Sequence, residues 1–66
     1  MDKAWVGIDI GSVSVDGVIL IEDKKVIKDY YLLHKGRPIE TVIYLLNQIS
    51  LIVDIKDIEK FSVVGY

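Results

Sequence analysis

The residues best suited to chemistry lie together near the amino terminus, in the segment Asp9–Ser14. A phosphate site needs backbone N–H groups that point outward from a tight turn without a side chain in the way, and Gly11 suits that role. The hydroxyls of Ser12 and Ser14 can donate hydrogen bonds to phosphate oxygens. The segment therefore indicates a phosphate-binding turn.

Asp9 precedes this turn within the apolar run Gly7–Ile10. A carboxylate near bound phosphates can hold hydrated Mg²⁺, which takes one or two carboxylates and keeps several waters. We expect the Asp9 charge to be buried among its apolar neighbours, so that a bound cation would compensate it. A Gly-Ser pair between two strands is also ordinary hairpin chemistry, and that purely structural interpretation stays open.

Three strands are predicted to position these residues. Alternating or continuous apolar residues indicate strands over Ala4–Ile10, Val15–Ile21 and Val26–Leu33. Since the connections are short, the three strands should form an antiparallel meander. The second strand is almost entirely apolar after Gly17, which predicts cover on both of its faces.

A helix and a fourth strand complete the predicted order. Apolar residues recur at helical spacing from Pro38 to about Ile52, and proline suits a first helical turn. Asp54–Lys60 is a polar connection with room for one helical turn, and Phe61–Val64 is the fourth strand. A helix that returns the chain to the same sheet makes that strand pair in parallel. The resulting β-β-β-α-β order predicts an α/β fold that resembles the opening half of a ribonuclease H-like sheet.

Composition narrows the class of protein. Apolar residues make up 52% of the 66-residue chain, so we expect exposed apolar surface that meets further chain or a partner. A net charge of −2 without a basic stripe argues against nucleic acid or an anionic membrane as partner. The apolar run within Thr41–Val53 is too interrupted to span a bilayer. The absence of cysteine and of a secretory signal predicts a cytoplasmic protein.

Two runs of the chain resemble a known family. Gly7–Val15 resembles the first phosphate-binding loop of the actin/Hsp70/sugar-kinase superfamily. Tyr31–Glu40, with its Gly-Arg-Pro sequence, resembles the third-strand-to-helix junction of acyl-CoA dehydratase activases, the ATPases that activate 2-hydroxyacyl-CoA dehydratases and benzoyl-CoA reductases. The resemblance covers essentially the whole chain. It implies that residues 1–66 are the amino-terminal part of a longer actin-like ATPase domain.

The resemblance implies an activity and a set of contacts. ATP would bind between two ribonuclease H-like halves, with Asp9 near Mg²⁺ and with Gly11, Ser12 and Ser14 at the terminal phosphates. Val13 would contribute only its backbone N–H. The parent protein would be a homodimer with a four-iron, four-sulfur cluster at its interface, ligated outside this chain. ATP hydrolysis would drive one electron to the dehydratase or reductase. We expect the 66 residues alone to be inactive and to bind Mg-nucleotide weakly at most.

Two positions depart from the family pattern. Asp16 stands where family members usually carry lysine, and Val64-Gly65 stands where relatives often have Thr-Gly. An anion at Asp16 does not help to bind phosphate unless its side chain points away from the turn. Two alternatives therefore stay open. One is a ribonuclease H-like nuclease fragment in which Asp9 ligates a catalytic metal. The other is a noncatalytic ribonuclease H-like scaffold module without nucleotide binding.

Two further polar residues lie between the third strand and the helix. His34 is the single histidine of the chain, and at a strand end we interpret it as a junction residue rather than a proton carrier. Arg37 is interpreted as a residue that caps or solvates the loop.

Overall fold

The computed structural model of the chain describes residues 3–22 and 25–65. Within that part of the chain, the elements are β1 (Ala4–Ile10), β2 (Ser14–Ile21), β3 (Lys25–Leu33), α1 (Pro38–Ser50) and β4 (Ile58–Gly65). A short 3₁₀ turn, Ile55–Asp57, precedes β4 and lies within the predicted polar connection.

The strands form one mixed sheet in the order β3-β2-β1-β4. The pairs β1–β2 and β2–β3 are antiparallel, whereas β4 runs parallel to β1. The predicted α/β class, the antiparallel meander and the parallel fourth strand are therefore confirmed. The crossover through α1 explains the parallel pairing, since the helix returns the chain to the edge beside β1.

Two boundaries differ by two residues or more from those predicted, while β2 and β3 each begin one residue earlier and β4 ends one residue later. β4 begins at Ile58 rather than at Phe61, because it pairs with β1 from Ala4 onward. The helix ends at Ser50 rather than at Ile52. β-Branched residues are frequent beyond that point, and these side chains lose rotamer freedom in a helix. The earlier end of α1 lengthens the connection between helix and strand, whereas the earlier start of β4 shortens it.

The helix covers one face of the sheet only. Buried apolar residues from β1, β2, α1 and the segment after it form one cluster: Ala4, Val6, Ile8, Val15, Ile19, Leu45, Ile49 and Val53. On the opposite face Asp16 is exposed and Val18 is half-buried, so the prediction that β2 is covered on both faces is wrong. The reason is that a single helix can shield only one side of a sheet. We refer to the uncovered side as the open face.

A glycine lets the helix approach β2 closely. A Cβ atom added at Gly17 would lie 2.9 Å from Cδ2 of Leu45, a fully buried side chain of α1. The missing side chain at this position therefore provides the space that Leu45 occupies.

Apolar surface remains exposed beside β4, as the composition predicts. An apolar groove of about 470 Å³ runs between α1 and β4, with Leu46, Ile55 and Phe61 among its lining residues. Ile55 is 82% exposed and Phe61 is 47% exposed. In the part of the chain that the structure describes, no helix has the length and apolar character needed to cross a bilayer.

Candidate phosphate-binding site

The predicted phosphate turn is a tight connection between β1 and β2. The Gly11 N–H donates to the Ser14 carbonyl at 2.8 Å and closes the turn. Ser12 and Val13 form the tip, and both are exposed. No described residue accepts a hydrogen bond from the N–H of Ser12 or Val13. Two backbone donors at an exposed tip are thus available to an anion.

The orientation of the Gly11 N–H differs from the one predicted. Its own N–H is engaged with Ser14, so it does not point outward. Its φ lies outside the left-handed range, and an added Cβ would make only an ordinary contact of 3.4 Å with the Ser14 carbonyl oxygen. The fold therefore tolerates a side chain here. What glycine provides is open space beside the turn.

Two carboxylates and a hydroxyl lie next to the turn on the open face. Asp9 on β1 pairs directly with Asp16 on β2, and both residues are exposed. Since side chains alternate along a strand, Ser14 lies on the same face as Asp16. The expectation that Asp9 is buried is wrong, because α1 covers the other face. A shallow depression of about 260 Å³ adjoins the pair, with Gly7 and Ser62 among its lining residues.

Asp16 lies on the same face of the sheet as Asp9. Directly opposed residues in an antiparallel pair have Cβ atoms about 4.5–5.5 Å apart, and like charges in that position destabilise the sheet. Asp16 therefore adds a second negative charge on the face that Asp9 occupies. A phosphate bound without a cation would face two negative charges.

The pair suits a magnesium ion that is completed by water and phosphate. Among residues 3–22 and 25–65, no group of three or more His, Cys, Asp or Glu side chains could hold a metal ion. Mg²⁺ does not require such a cage, because it is usually held by one or two carboxylates together with waters and substrate phosphates. Asp9 and Asp16 fit that donor set in number and type.

His34 is the functional candidate that the sequence analysis underestimated. Among the described residues that are buried, His34 is the polar one, with 6% of its surface exposed. Its Nε2 lies 3.0 Å from the Gly11 carbonyl oxygen, and its Nδ1 accepts the Gly36 N–H at 3.1 Å. Its backbone N–H donates to the Val13 carbonyl at 3.0 Å. His34 therefore joins the turn to the junction before α1.

His34 and the two carboxylates, Asp9 and Asp16, lie on opposite sides of the sheet. Leu32 pairs with the buried Val15, so His34, two residues further along, continues the face that α1 covers. Asp9 and Asp16 lie on the open face. The turn is thus supported from the helix side and exposed on the other side. The sequence carries no periodic signal for this contact, because it depends on the pairing register of β2 with β3.

The junction itself has unusual backbone geometry. Lys35 has φ 52° and Gly36 has φ 79°, and the left-handed region is uncommon for a residue with a side chain. Arg37 occupies the N-cap position of α1 without a side-chain cap hydrogen bond, and its side chain is exposed, in keeping with a residue that solvates the loop. Arg37 forms an exposed ion pair with Glu40 at 3.3 Å, while Thr41 Oγ1 donates to the Arg37 carbonyl at 2.8 Å.

Comparison with protein-family models finds no match, and comparison with curated proteins finds none either. The family resemblance thus rests on the residues of Gly7–Val15 and Tyr31–Glu40. The structure shows a small mixed α/β fold and an exposed turn with two carboxylates beside it.

Proposed function

We propose that this chain supplies the phosphate-facing part of an ATP site, with the Gly11–Ser14 turn at the terminal phosphates and Asp9 at Mg²⁺. One observation carries the proposal: Asp9, Ser14 and Asp16 share an exposed face immediately beside an exposed turn. An anion cradle and a metal-facing carboxylate have to be adjacent for a Mg-nucleotide to bind.

The turn offers both backbone and side-chain hydrogen-bond donors to phosphate. The N–H groups of Ser12 and Val13 have no acceptor among the described residues, so they are free to meet phosphate oxygens. The hydroxyls of Ser12 and Ser14 add two further donors. Gly11 contributes space rather than its N–H. This arrangement retains all four residues that the sequence indicates, with a changed role for Gly11.

The opposed carboxylates make the site selective for the magnesium complex. Free ATP or free phosphate is repelled by Asp9 and Asp16, whose charges add on one exposed face. A bound Mg²⁺ reverses the local charge and bridges to phosphate oxygens. We therefore expect binding to depend strictly on the divalent cation.

We extend the proposal to the parent protein on the resemblance of Tyr31–Glu40 to activases. The strand order β3-β2-β1-β4, with β4 parallel to β1, supports a ribonuclease H-like identity for the sheet. The parent would be a cytoplasmic homodimeric ATPase that delivers one electron to a 2-hydroxyacyl-CoA dehydratase or a benzoyl-CoA reductase. Because the 66 residues contain no cysteine, thiolates for a four-iron, four-sulfur cluster would come from outside them.

The test is a titration of the ¹⁵N-labelled chain with ATP in the presence and absence of Mg²⁺. We expect Mg-ATP to shift the amide signals of Ser12 and Val13, with a dissociation constant of about 1 mM, which corresponds to about 4 kcal/mol. Asp9→Asn should abolish the shift, because it removes the carboxylate proposed to hold the metal. ATP without Mg²⁺ should give no shift.

Asp29→Asn is the matched control. Asp29 is an exposed carboxylate that pairs with Val18 on the open face, one strand away from Asp16. Its removal should leave the titration unchanged. Equal losses in the two variants, or no magnesium-dependent shift in the wild-type chain, would refute the nucleotide site. The absence of a magnesium-dependent shift in the wild-type chain would favour the noncatalytic scaffold interpretation.

A metal-dependent nuclease is the second candidate, and the Asp9–Asp16 pair is the observation that favours it. Two adjacent carboxylates can hold a metal ion that activates water for phosphodiester cleavage. Incubation of the chain with branched DNA and Mg²⁺ or Mn²⁺ tests this reaction. Cleavage that disappears in Asp16→Asn would support the nuclease, whereas ATP binding without cleavage supports the ATPase.

A further inference from the structure

His34 uses both ring nitrogens to connect two loops. The Gly36 N–H donates to Nδ1, so Nδ1 carries a lone pair rather than a proton. In a neutral imidazole the other nitrogen then carries the hydrogen, and Nε2–H donates to the Gly11 carbonyl. The hydrogen-bond partners therefore assign the Nε2–H tautomer. A protonated ring would place an Nδ1–H against the Gly36 N–H.

The bond to Gly11 determines the direction of a neighbouring donor. The Gly11 carbonyl and the Ser12 N–H belong to one peptide unit, which is planar and trans, so they point in opposite directions. His34 holds this carbonyl from the side of the sheet that α1 covers. The Ser12 N–H must therefore point away from that side. One side chain thus orients a donor that it does not touch.

We propose that His34 is the positioning residue of the turn, and that its Nε2–H orients the Ser12 N–H toward a phosphate oxygen bound on the far side. The orientation of the Ser12 N–H toward a phosphate oxygen rests on the proposed function. The positioning of the turn by His34 concerns the ligand-free chain and can be tested by itself. Since the backbone N–H of His34 also holds the Val13 carbonyl, the residue fixes both ends of the exposed tip.

The experiment compares His34→Ala, His34→Gln and the control Thr41→Ala. Glutamine keeps a donor and an acceptor at the end of its side chain, so it can replace both ring contacts. Thr41→Ala removes one side-chain bond to the Arg37 carbonyl at the same junction without touching the turn. Hydrogen exchange is measured at the Gly11 amide, because its N–H closes the turn with the Ser14 carbonyl and its exchange reports opening of the turn. Imidazole ¹⁵N shifts report the tautomer.

In the ligand-free chain we expect His34→Ala to speed exchange at Gly11 by about tenfold, the effect of losing one buried hydrogen bond. His34→Gln and Thr41→Ala should stay within about threefold of wild type. The wild-type imidazole should show the Nε2–H tautomer. Equal exchange in His34→Ala and Thr41→Ala would overturn the proposal. An Nδ1–H tautomer in the wild-type chain would overturn it even if alanine at this position prevented folding.

Titration with Mg-ATP then tests whether His34 orients the Ser12 N–H toward the bound ligand. The shift of the Ser12 amide should be lost in His34→Ala and retained in His34→Gln, when the samples are compared at the same concentration of folded protein. An undiminished Ser12 shift in His34→Ala would overturn the orienting role. If wild type shows the exchange and tautomer results but no response to Mg-ATP, the nucleotide site fails while the support of the turn by His34 stands.

Discussion

Asp9 and Asp16 lie directly opposite each other on β1 and β2, and both side chains are exposed on the open face of the sheet. A fold gains nothing from two like charges in this position, since directly opposed like charges destabilise an antiparallel pair. The arrangement is therefore not explained by a contribution to folding, and it agrees with the proposal that the pair holds a cation.

Neutralising Asp16 should stabilise the ligand-free protein. We expect Asp16→Asn to raise the free energy of unfolding by a few tenths of a kcal/mol in low salt, because it removes the repulsion from Asp9. The gain should shrink in about 1 M salt, where the Debye length is about 3 Å. Urea unfolding at the two salt concentrations measures it. A gain of the same size in Asp29→Asn would show that net charge, rather than the pair, is responsible.

Gly11→Ala should separate folding from ligand binding. The added Cβ meets only the Ser14 carbonyl oxygen, at 3.4 Å, so the free energy of unfolding should change by less than about 1 kcal/mol. The methyl group would nevertheless occupy the space beside the turn and weaken Mg-ATP binding. Urea unfolding and the NMR titration measure the two effects. Unaltered binding would mean that phosphate does not approach Gly11.

Gly17→Ala should destabilise the packing of α1 on β2. The new Cβ would lie 2.9 Å from Leu45 Cδ2, and overpacking a core typically costs about 1–3 kcal/mol. Gly7→Ala is the control, since its Cβ would lie 3.4 Å from Val18 Cγ1 on the open face. Thermal unfolding of both variants provides the comparison. A smaller loss in Gly17→Ala than in Gly7→Ala would contradict the assigned role of Gly17.

Alkaline pH should weaken the fold through Tyr30. Burial raises the pKa of Tyr30 above its ordinary value of 10.0, because the phenolate is poorly solvated among its neighbours. The folded state therefore favours the neutral phenol. The stabilising contribution is present below pH 10 and is lost as pH rises through the raised pKa. Urea unfolding between pH 9 and 11 should show this decline, and Tyr30→Phe should reduce it. An equal decline in Tyr30→Phe would exclude Tyr30 as its source.

Much of the architecture follows from local patterns. Alternation and turn chemistry predict the three-strand meander, and helical spacing after Pro38 predicts α1. These features are readable because each depends on residues close together in the chain. The limits of α1 and β4 are less well predicted, because pairing with β1 extends β4 back to Ile58.

The amino-acid sequence by itself determined the order β-β-β-α-β and placed an aspartate, a glycine and two serines around one turn. Tertiary structure decided that Asp9 is exposed, that Asp16 faces it, and that His34 supports Gly11 from the other side. The physical reason is that these relationships depend on strand register and on which face the single helix covers. Both are set by packing between segments that are distant in the chain.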